Sequence, residues 1–508
     1  MGQRAFNPKG VGSNPTRPVM TTNTNVDPNE LFNESRVEDL YNLREAGMDP
    51  YPTTYPSPTI TLEEYRQEYA TIDSPENIEH VLVGRVRDIR DIGAISFIDI
   101  SDETDELQLI LSTDDTNDYG LTDHIGLGDI ISATGRVERS NSGELSLAVD
   151  TWQMLTKTLR HPFWASNGSV SDRKMVEDRT NALQLSDLHE YVQTRFSVIN
   201  TVREEFSSRG FTDVTTPILQ GNAGGADATP FTSYAQAVER EFDLRIAPEL
   251  YLKMLLAAGF GDVFEIGKSF RNEDMDATHT PEFVTVEAYR TYEDYTYMME
   301  VVEEVCAAVA TEVRGEPEII VNGETIDISP PWERADIDDL VSEYADVDPR
   351  TASFGELVQR AESAEETSDS LGQLSRGDLI MELYDAYVEP QLNAPTFVQH
   401  HPVESSPLCQ PLADSPSRLQ RFEAVVGGVE IANSYTEIRD PVVQAERLYE
   451  QADTEDEIQS EFIQSIAMGM PPCTGLGIGI DRLALLVSDT DSINDVLPFP
   501  LTSRYSSN

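Results

Sequence analysis

Residues 270–283 read Phe270-Arg271-Asn272-Glu273-Asp274-Met275-Asp276-Ala277-Thr278-His279-Thr280-Pro281-Glu282-Phe283. An arginine, an acid, a histidine and an aromatic ring so close together can hold a nucleoside triphosphate. The cation takes a phosphate, the acid takes the adenine amine, and the ring stacks on the base. The stretch reads as a nucleotide clamp, and it decides how the rest of the chain is read.

A second element follows near the C-terminus: Gly475-Leu476-Gly477-Ile478-Gly479-Ile480-Asp481-Arg482, then Leu483-Ala484-Leu485-Leu486. Alternating glycine and apolar residues suit a strand that another group approaches closely, and the apolar run suits a helix packed behind it. A glycine-rich strand alone is more often structural; its order after the clamp makes it informative. Neither the P-loop nor the dinucleotide-binding glycine fingerprint occurs in the chain. The two elements together resemble motifs 2 and 3 of the class II aminoacyl-tRNA synthetases.

At 508 residues the chain is too long for one core and predicts two or more domains. No uncharged apolar run approaches the roughly 18 residues that span a bilayer. No apolar segment with a small-residue cleavage site opens the chain, so a soluble, cytoplasmic protein with no membrane partner is expected. Cys306, Cys409 and Cys473 lie far apart and suggest neither a zinc site nor a disulfide framework. The charge is extreme: 91 acids against 36 bases, a net −55. Only Lys9, Lys157, Lys174, Lys253 and Lys268 are lysines. Acids spread through every segment suggest a surface built to stay hydrated in molar salt, where the Debye length is about 3 Å, and hence a halophilic, archaeal source. At low salt such a chain repels a phosphate backbone; high salt removes most of that objection, leaving stacking and hydrogen bonds to hold RNA.

Residues 1–30 lack an apolar period and are expected to be a disordered tail, with Met20 a plausible true start. Residues 31–75 form a helical lead-in. In 76–158 five short apolar runs, at Val81–Val86, Ile95–Ile100, Leu107–Leu111, Ile130–Gly135 and Leu145–Val149, fit a Greek-key barrel of the OB type, with a helix after the third. Such barrels stack single-stranded bases on aromatic residues, which makes Arg85, Phe97 and Gln108 anticodon-binding candidates; on pattern alone Phe97 reads equally as core. A linker spans 159–186. In the helix starting at Asp187, Val192, Phe196, Ile199, Val202 and Phe206 form one apolar face up to Gly210. The following Phe211–Pro217 reads as a strand closed by proline. Helix, strand and proline resemble motif 1 of the same synthetases, which builds their dimer interface. The resemblance therefore implies an α+β protein: a five-stranded OB-type β-barrel, then at 187–508 a class II catalytic domain built on an antiparallel sheet flanked by helices. Residues 331–390 read as a helical insertion in it.

Gly224-Gly225-Ala226, Leu244 to Lys253, Glu287-Ala288-Tyr289, His401-Pro402-Val403-Glu404 and Glu430 to Glu437 narrow the resemblance to the class II lysyl-tRNA synthetases, over roughly Leu40 to Leu501. An ε-ammonium needs a carboxylate with hydroxyl or amide partners in a site that excludes water. The resemblance places Glu437 and Tyr289 near that ammonium, Glu249 and the backbone at Gly225 near the α-amino group, and Glu287, Asn433 and Tyr435 in the same pocket. Arg271 would bridge the lysine carboxylate and the α-phosphate of ATP, and Arg482 would lie near the phosphates, as the catalytic pair. Glu273 would accept from the adenine amine, Phe283 would stack on the ring, and His279 would touch the distal phosphates. Glu423 and Glu430 would hold Mg2+ on the triphosphate, as hard cations prefer carboxylate and phosphate oxygens. The implied partners are L-lysine, ATP, tRNA(Lys) and a second copy in a homodimer.

The chain departs from that family at Thr229, before Pro230-Phe231, and at Gln410, where basic residues are usual. Asp178-Arg179-Thr180-Asn181 keeps one arginine of a normally basic stretch, and Pro498 replaces a preferred leucine. These losses touch tRNA and phosphate contacts more than lysine contacts. Aspartyl- and asparaginyl-tRNA synthetases share the architecture but need a cationic pocket or amide readers, against which Glu437, Glu287 and Tyr289 argue. A shortened paralogue acting on a translation factor would lack the barrel. A non-catalytic paralogue would be favoured by loss of Arg271, Arg482 or Glu430, and all three are present.

Overall fold

The computed structural model describes residues 31–71, 78–165, 170–226, 228–273, 275–321, 323–364, 371–451 and 459–501. The expected tail at 1–30, with Met20, lies outside them. The chain divides into two units, Met1–Ser171 and Asp172–Asn508.

In the first unit β1 (Glu79–Ile92), β2 (Ile95–Ser101), β3 (Glu106–Ser112), β4 (Ile130–Arg139) and β5 (Leu145–Thr156) close into a barrel in the order β1-β2-β3-β5-β4. Alternation by twos sends Leu82, Ile98, Ile100, Leu109, Ile131 and Leu147 inward, and closure leaves no open sheet edge. The element between β3 and β4 is the 3-10 turn Tyr119–His124. The lead-in supplies two helices, Glu34–Glu45 and Leu62–Tyr69. The second starts at a capping box of Thr61 and Glu64 and buries Tyr65 and Tyr69 against the barrel core.

In the second unit the strands are β6 (Thr212–Asp213), β7 (Leu219–Gln220), β8 (Thr232–Ala235), β9 (Arg240–Leu244), β10 (Val263–Phe270), β11 (Glu282–Thr291), β12 (Glu318–Val321), β13 (Glu324–Asp327), β14 (Glu333–Asp336), β15 (Thr396–Gln399), β16 (Arg421–Val426), β17 (Val429–Thr436) and β18 (Cys473–Gly479). Eight make the main sheet, in the order β14-β15-β16-β17-β18-β11-β10-β6, antiparallel except at the two edge pairs. Helices Ser186–Ser208, Tyr295–Arg314 and Ile480–Ser488 pack on one face through Val198, Val202, Met298, Val302 and Leu483 against Phe264, Val286, Leu476 and Ile478. The other face is covered in part by apolar clusters, Val263, Tyr289 and Cys473 packing on Leu250, Leu252 and Phe462, and Val398 and Val425 on Leu379 and Leu383, and carries polar side chains between them.

Three local expectations change. The stripe of helix Ser186–Ser208 buries Leu188, Val192, Arg195, Val198, Val202 and Phe206, while Phe196 is 43% exposed. An arginine takes the core position because Asp481 neutralises it at 2.7 Å. The strand expected from Phe211 pairs only at β6, because the chain then turns off β10 and Thr216 binds the Glu265 carboxylate. Within 331–390, helices Ile337–Tyr344, Phe354–Ala361 and Arg376–Tyr387 share their own core, but β14 before them belongs to the main sheet.

Candidate active site

Strand register sorts the open face of the sheet into rows. One row runs Val263, Tyr289, Gly475, Tyr435 and Arg421 across β10, β11, β18, β17 and β16. The next runs Glu265, Glu287, Gly477, Asn433 and Glu423. Beyond it come Gly267, Thr285 and Gly479, then Ser269 with Phe283. Two-residue alternation thus puts Phe283, Glu287 and Tyr289 on the same face while Val284, Val286 and Ala288 enter the core. The glycines of β18 form the floor. A Cβ on Gly475 would overlap Glu437 and the Tyr289 ring, whereas one on Gly477 would meet nothing nearer than Glu287 Cγ at 3.9 Å.

One end of this floor is acidic and buried. Glu249, first residue of the helix Glu249–Ala257, accepts from Tyr435 Oη at 2.7 Å and from Lys253 Nζ at 2.6 Å. Lys253 Nζ also lies 2.5 Å from Glu437 Oε2. Gly225, at φ +93°, packs where a Cβ would stand 3.0 Å from Glu249 Cβ, so the turn needs glycine for both conformation and space. Burial, reinforced by Glu249, pushes Glu287 up to about 8, and burial pushes Glu437 up to about 8 as well. Lys253 is shifted upward: burial opposes its charge, but Glu249 and Glu437 outweigh it. Two carboxylates, Glu249 and Glu437, therefore hold one internal ammonium, with Glu287 close enough to act on both acids. Every residue expected in the lysine pocket lies on this face or beside it.

The other end is cationic. Arg271 follows β10, its guanidinium carbon 5.2 Å from the centre of the Phe283 ring. Its Nε and Asn433 Oδ1 are buried without a hydrogen-bond partner among the described residues. Arg482 donates from Nη1 to the Glu430 carbonyl at 2.7 Å and lies 3.2 Å from Glu430 Oε2; Nη2 reaches His279 Nε2 at 2.8 Å. Glu273 is exposed and accepts from the Thr229 backbone N–H at 3.2 Å. Asp481 fixes this end by accepting from Arg195 Nε at 2.7 Å and from the Val284 N–H at 2.8 Å.

Glu423 and Glu430 neighbour one another on β16 and β17. Glu423 is buried, which alone would raise it, yet His401 and Arg421, the latter at 2.6 Å, hold it in its ionised form. Burial and Glu423 raise Glu430; burial and Glu430 push Glu389, which accepts from the Glu430 N–H, up to about 7. This surplus of carboxylate, buried at Glu423 and half-buried at Glu430 and Glu389, suits a hard divalent cation in its donor type and charge. Among the described residues no three His, Cys, Asp or Glu side chains are grouped to hold a metal on their own, so such an ion needs ligand oxygens from elsewhere.

The barrel residues are less well gathered. Phe97 and Gln108 project from the outer face of neighbouring strands, since Asp99 pairs with Gln108 and Phe97 with Ile110. Phe97 is half-buried; Gln108 is buried, with Glu144 and Ser146 as partners. Arg85 pairs with Ser101, four residues along β2 from Phe97, and donates to the Gly128 carbonyl at 2.9 Å. Arg179 binds the carbonyls of Asn494, Leu497 and Pro498 and so ties down the C-terminal segment. Sequence reading gave Arg245 and Lys253 no role beyond their place in the Leu244 to Lys253 run, and it did not name Arg421. Arg245, 1% exposed, lies 2.6 Å from Glu265. The scarcity of lysine and the place of Lys253 in that run were the available signals for it.

Residues 172–503 match the family described as tRNA synthetases class II (D, K and N), and residues 80–155 match the OB-fold nucleic acid binding domain. The chain belongs to the class II tRNA synthetases of that group. Within it, the chain is 36% identical to the lysine–tRNA ligase of Clostridium novyi over 93% of its own length and 94% of that protein's. The lysine–tRNA ligases of Dehalococcoides mccartyi and Thermotoga maritima are also 36% identical, over 93% and 92% of this chain and 97% and 95% of theirs. The three Cys side chains are buried and free. No helix among the described residues is long and apolar enough to cross a membrane.

Proposed function

We propose that this protein is a lysine–tRNA ligase, which activates L-lysine with ATP to lysyl-adenylate and transfers the lysyl group to the 3′ end of tRNA(Lys). The observation that carries the reading is the pairing, over one sheet face, of the gathered carboxylates Glu249, Glu287 and Glu437 with an arginine whose Nε is without a hydrogen-bond partner among the described residues beside an aromatic ring. Glu437 and Tyr289 receive the ε-ammonium, Glu249 and the Gly225 backbone the α-ammonium, with Glu287, Asn433 and Tyr435 around them. The adenine stacks on Phe283 and donates to Glu273. Arg271 joins the lysine carboxylate to the α-phosphate, while Arg482 and His279 neutralise the outer phosphates. A lysine carboxylate oxygen bonds to the α-phosphorus as the bond to the diphosphate oxygen breaks. The carboxylate is already ionised, so the step needs positioning and charge neutralisation, with no general base. Glu423 and Glu430 would hold Mg2+, with ATP oxygens completing its shell, and the ion would supply charge neutralisation on the triphosphate.

Arg85, Phe97 and Gln108 are proposed to meet the anticodon, with Phe97 the stacking platform. Exposed Phe196, Ile218 and Leu219, 43%, 43% and 54% accessible, support a homodimer through the motif 1-like segment. The excess of acids supports a cytoplasmic enzyme adapted to molar salt; the relatives named above are bacterial and lend no support to an archaeal source.

The test is ATP–diphosphate exchange in about 2 M KCl with each amino acid separately and Arg271→Ala as control. Exchange with lysine alone, lost in the variant, is expected. Exchange with aspartate or asparagine would overturn the pocket assignment, and none at any salt would favour the non-catalytic reading.

A further inference from the structure

Lys253 is out of place on simple electrostatic grounds. A pocket for a cationic side chain should carry no cation of its own, since like charges repel strongly where water is excluded. Yet Lys253 is wholly buried in the same cluster, its Nζ 2.6 Å from Glu249 and 2.5 Å from Glu437. Tyr435 and Phe462 rings lie on either hand, each centred 5.6 Å from the ammonium. Tyr435 donates to the same Glu249 oxygen that Lys253 holds. The helix Glu249–Ala257 presents Glu249 and Lys253 one turn apart, so the cation is locked to one acid by the helix and to the other by the fold. In a chain with five lysines, two of the remaining four, Lys174 and Lys268, are exposed.

We propose that Lys253 is a positioning residue for lysine recognition: its ammonium joins Glu249 to Glu437 and fixes the two carboxylates in the separation and orientation that receive the substrate's α- and ε-ammonium groups. The inference rests on the lysine-pocket reading above. Without the internal cation nothing would tie Glu249 to Glu437, and the two side chains would be free to turn apart before a substrate arrived. With it, Glu249 commits Oε1 and Glu437 commits Oε2, leaving the other oxygen of each for the substrate. Ammonium groups enter a preformed frame, which lowers the ordering cost of binding.

The experiment compares the wild-type enzyme with Lys253→Met, which keeps the volume and drops the charge, and with Lys253→Ala, in lysine-dependent ATP–diphosphate exchange at high salt. For Lys253→Met the KM for lysine should rise about ten- to hundredfold, the worth of one or two charge-assisted hydrogen bonds, with the KM for ATP little changed. In Lys253→Ala, n-propylammonium replaces the missing methylenes and ammonium; it should restore the lysine KM, where propanol and hexylammonium do not. A folded Lys253→Met enzyme with the wild-type lysine KM overturns the proposal, and so does a Lys253→Ala enzyme that propylammonium does not restore or propanol restores equally. Lysine exchange by the wild type is read first. Its absence refutes the pocket reading itself, whereas its presence with an unchanged variant refutes only the role of Lys253.

Discussion

The floor of the site offers the sharpest test, because two glycines on one strand, two residues apart, should fail for opposite reasons. A methyl on Gly477 would stand 3.9 Å from Glu287 Cγ and 4.0 Å from the Asn433 carbonyl, both ordinary contacts, and its backbone is extended. Gly477→Ala should therefore fold, and be more stable by roughly 0.4–1 kcal/mol through loss of unfolded-chain freedom. The methyl nevertheless rises into the row between Glu287 and Asn433. Displacing a bound substrate by about 1 Å there should lower exchange on the order of 100-fold. A methyl on Gly475 would overlap Glu437 and lie 2.5 Å from Tyr289 Cε1, with both side chains buried. Gly475→Ala should lose roughly 1–3 kcal/mol by overpacking. Thermal melts and lysine-dependent exchange on both variants, in high salt, separate the cases. Wild-type exchange in Gly477→Ala would refute the claim that substrate occupies this row. A Gly475→Ala protein as stable as the parent would refute the packing argument.

Other expectations follow from the same geometry. Asp481→Asn leaves Arg195 buried opposite a neutral amide, so roughly 3–5 kcal/mol of stability should be lost, read by denaturant unfolding; a loss under about 1 kcal/mol would contradict the core role given to this pair. Because burial and Glu249 raise Glu287 to about 8, the folded enzyme holds its proton at pH 7 and must release it to meet an ammonium. The KM for lysine should therefore fall as pH rises toward 8, by up to about tenfold per unit, and a flat profile would sink this reading. With a net charge of −55, the melting temperature should climb steeply between about 0.1 and 2 M KCl as self-repulsion is screened; insensitivity to salt would remove the argument for halophily.

The five barrel strands, the long helix that stops just before Gly210 and the glycine-rich strand leading into an apolar helix were all legible in the chain, since each is written in a local period or a turn residue. So was the class: the clamp and the glycine strand are contiguous stretches whose residue types carry their chemistry. The 3-10 turn after β3 and the shortness of β6 were not, because hydrogen-bond partners remote in the chain set them.

What the tertiary structure alone decided is which side chains meet. Glu265, Glu287, Glu423, Asn433 and Gly477 become neighbours only because antiparallel register aligns five strands drawn from more than 200 residues of chain, and a one-residue slip would turn every one of them into the core. Likewise Arg195 reads as a surface residue on its helix until Asp481 arrives from the far end of the chain, and Lys253 reads as one more cation until the fold encloses it between two acids. Local sequence can specify the elements and the chemistry they carry. The electrostatics of a buried site depend on distances and solvent exclusion, which exist only once those elements are packed.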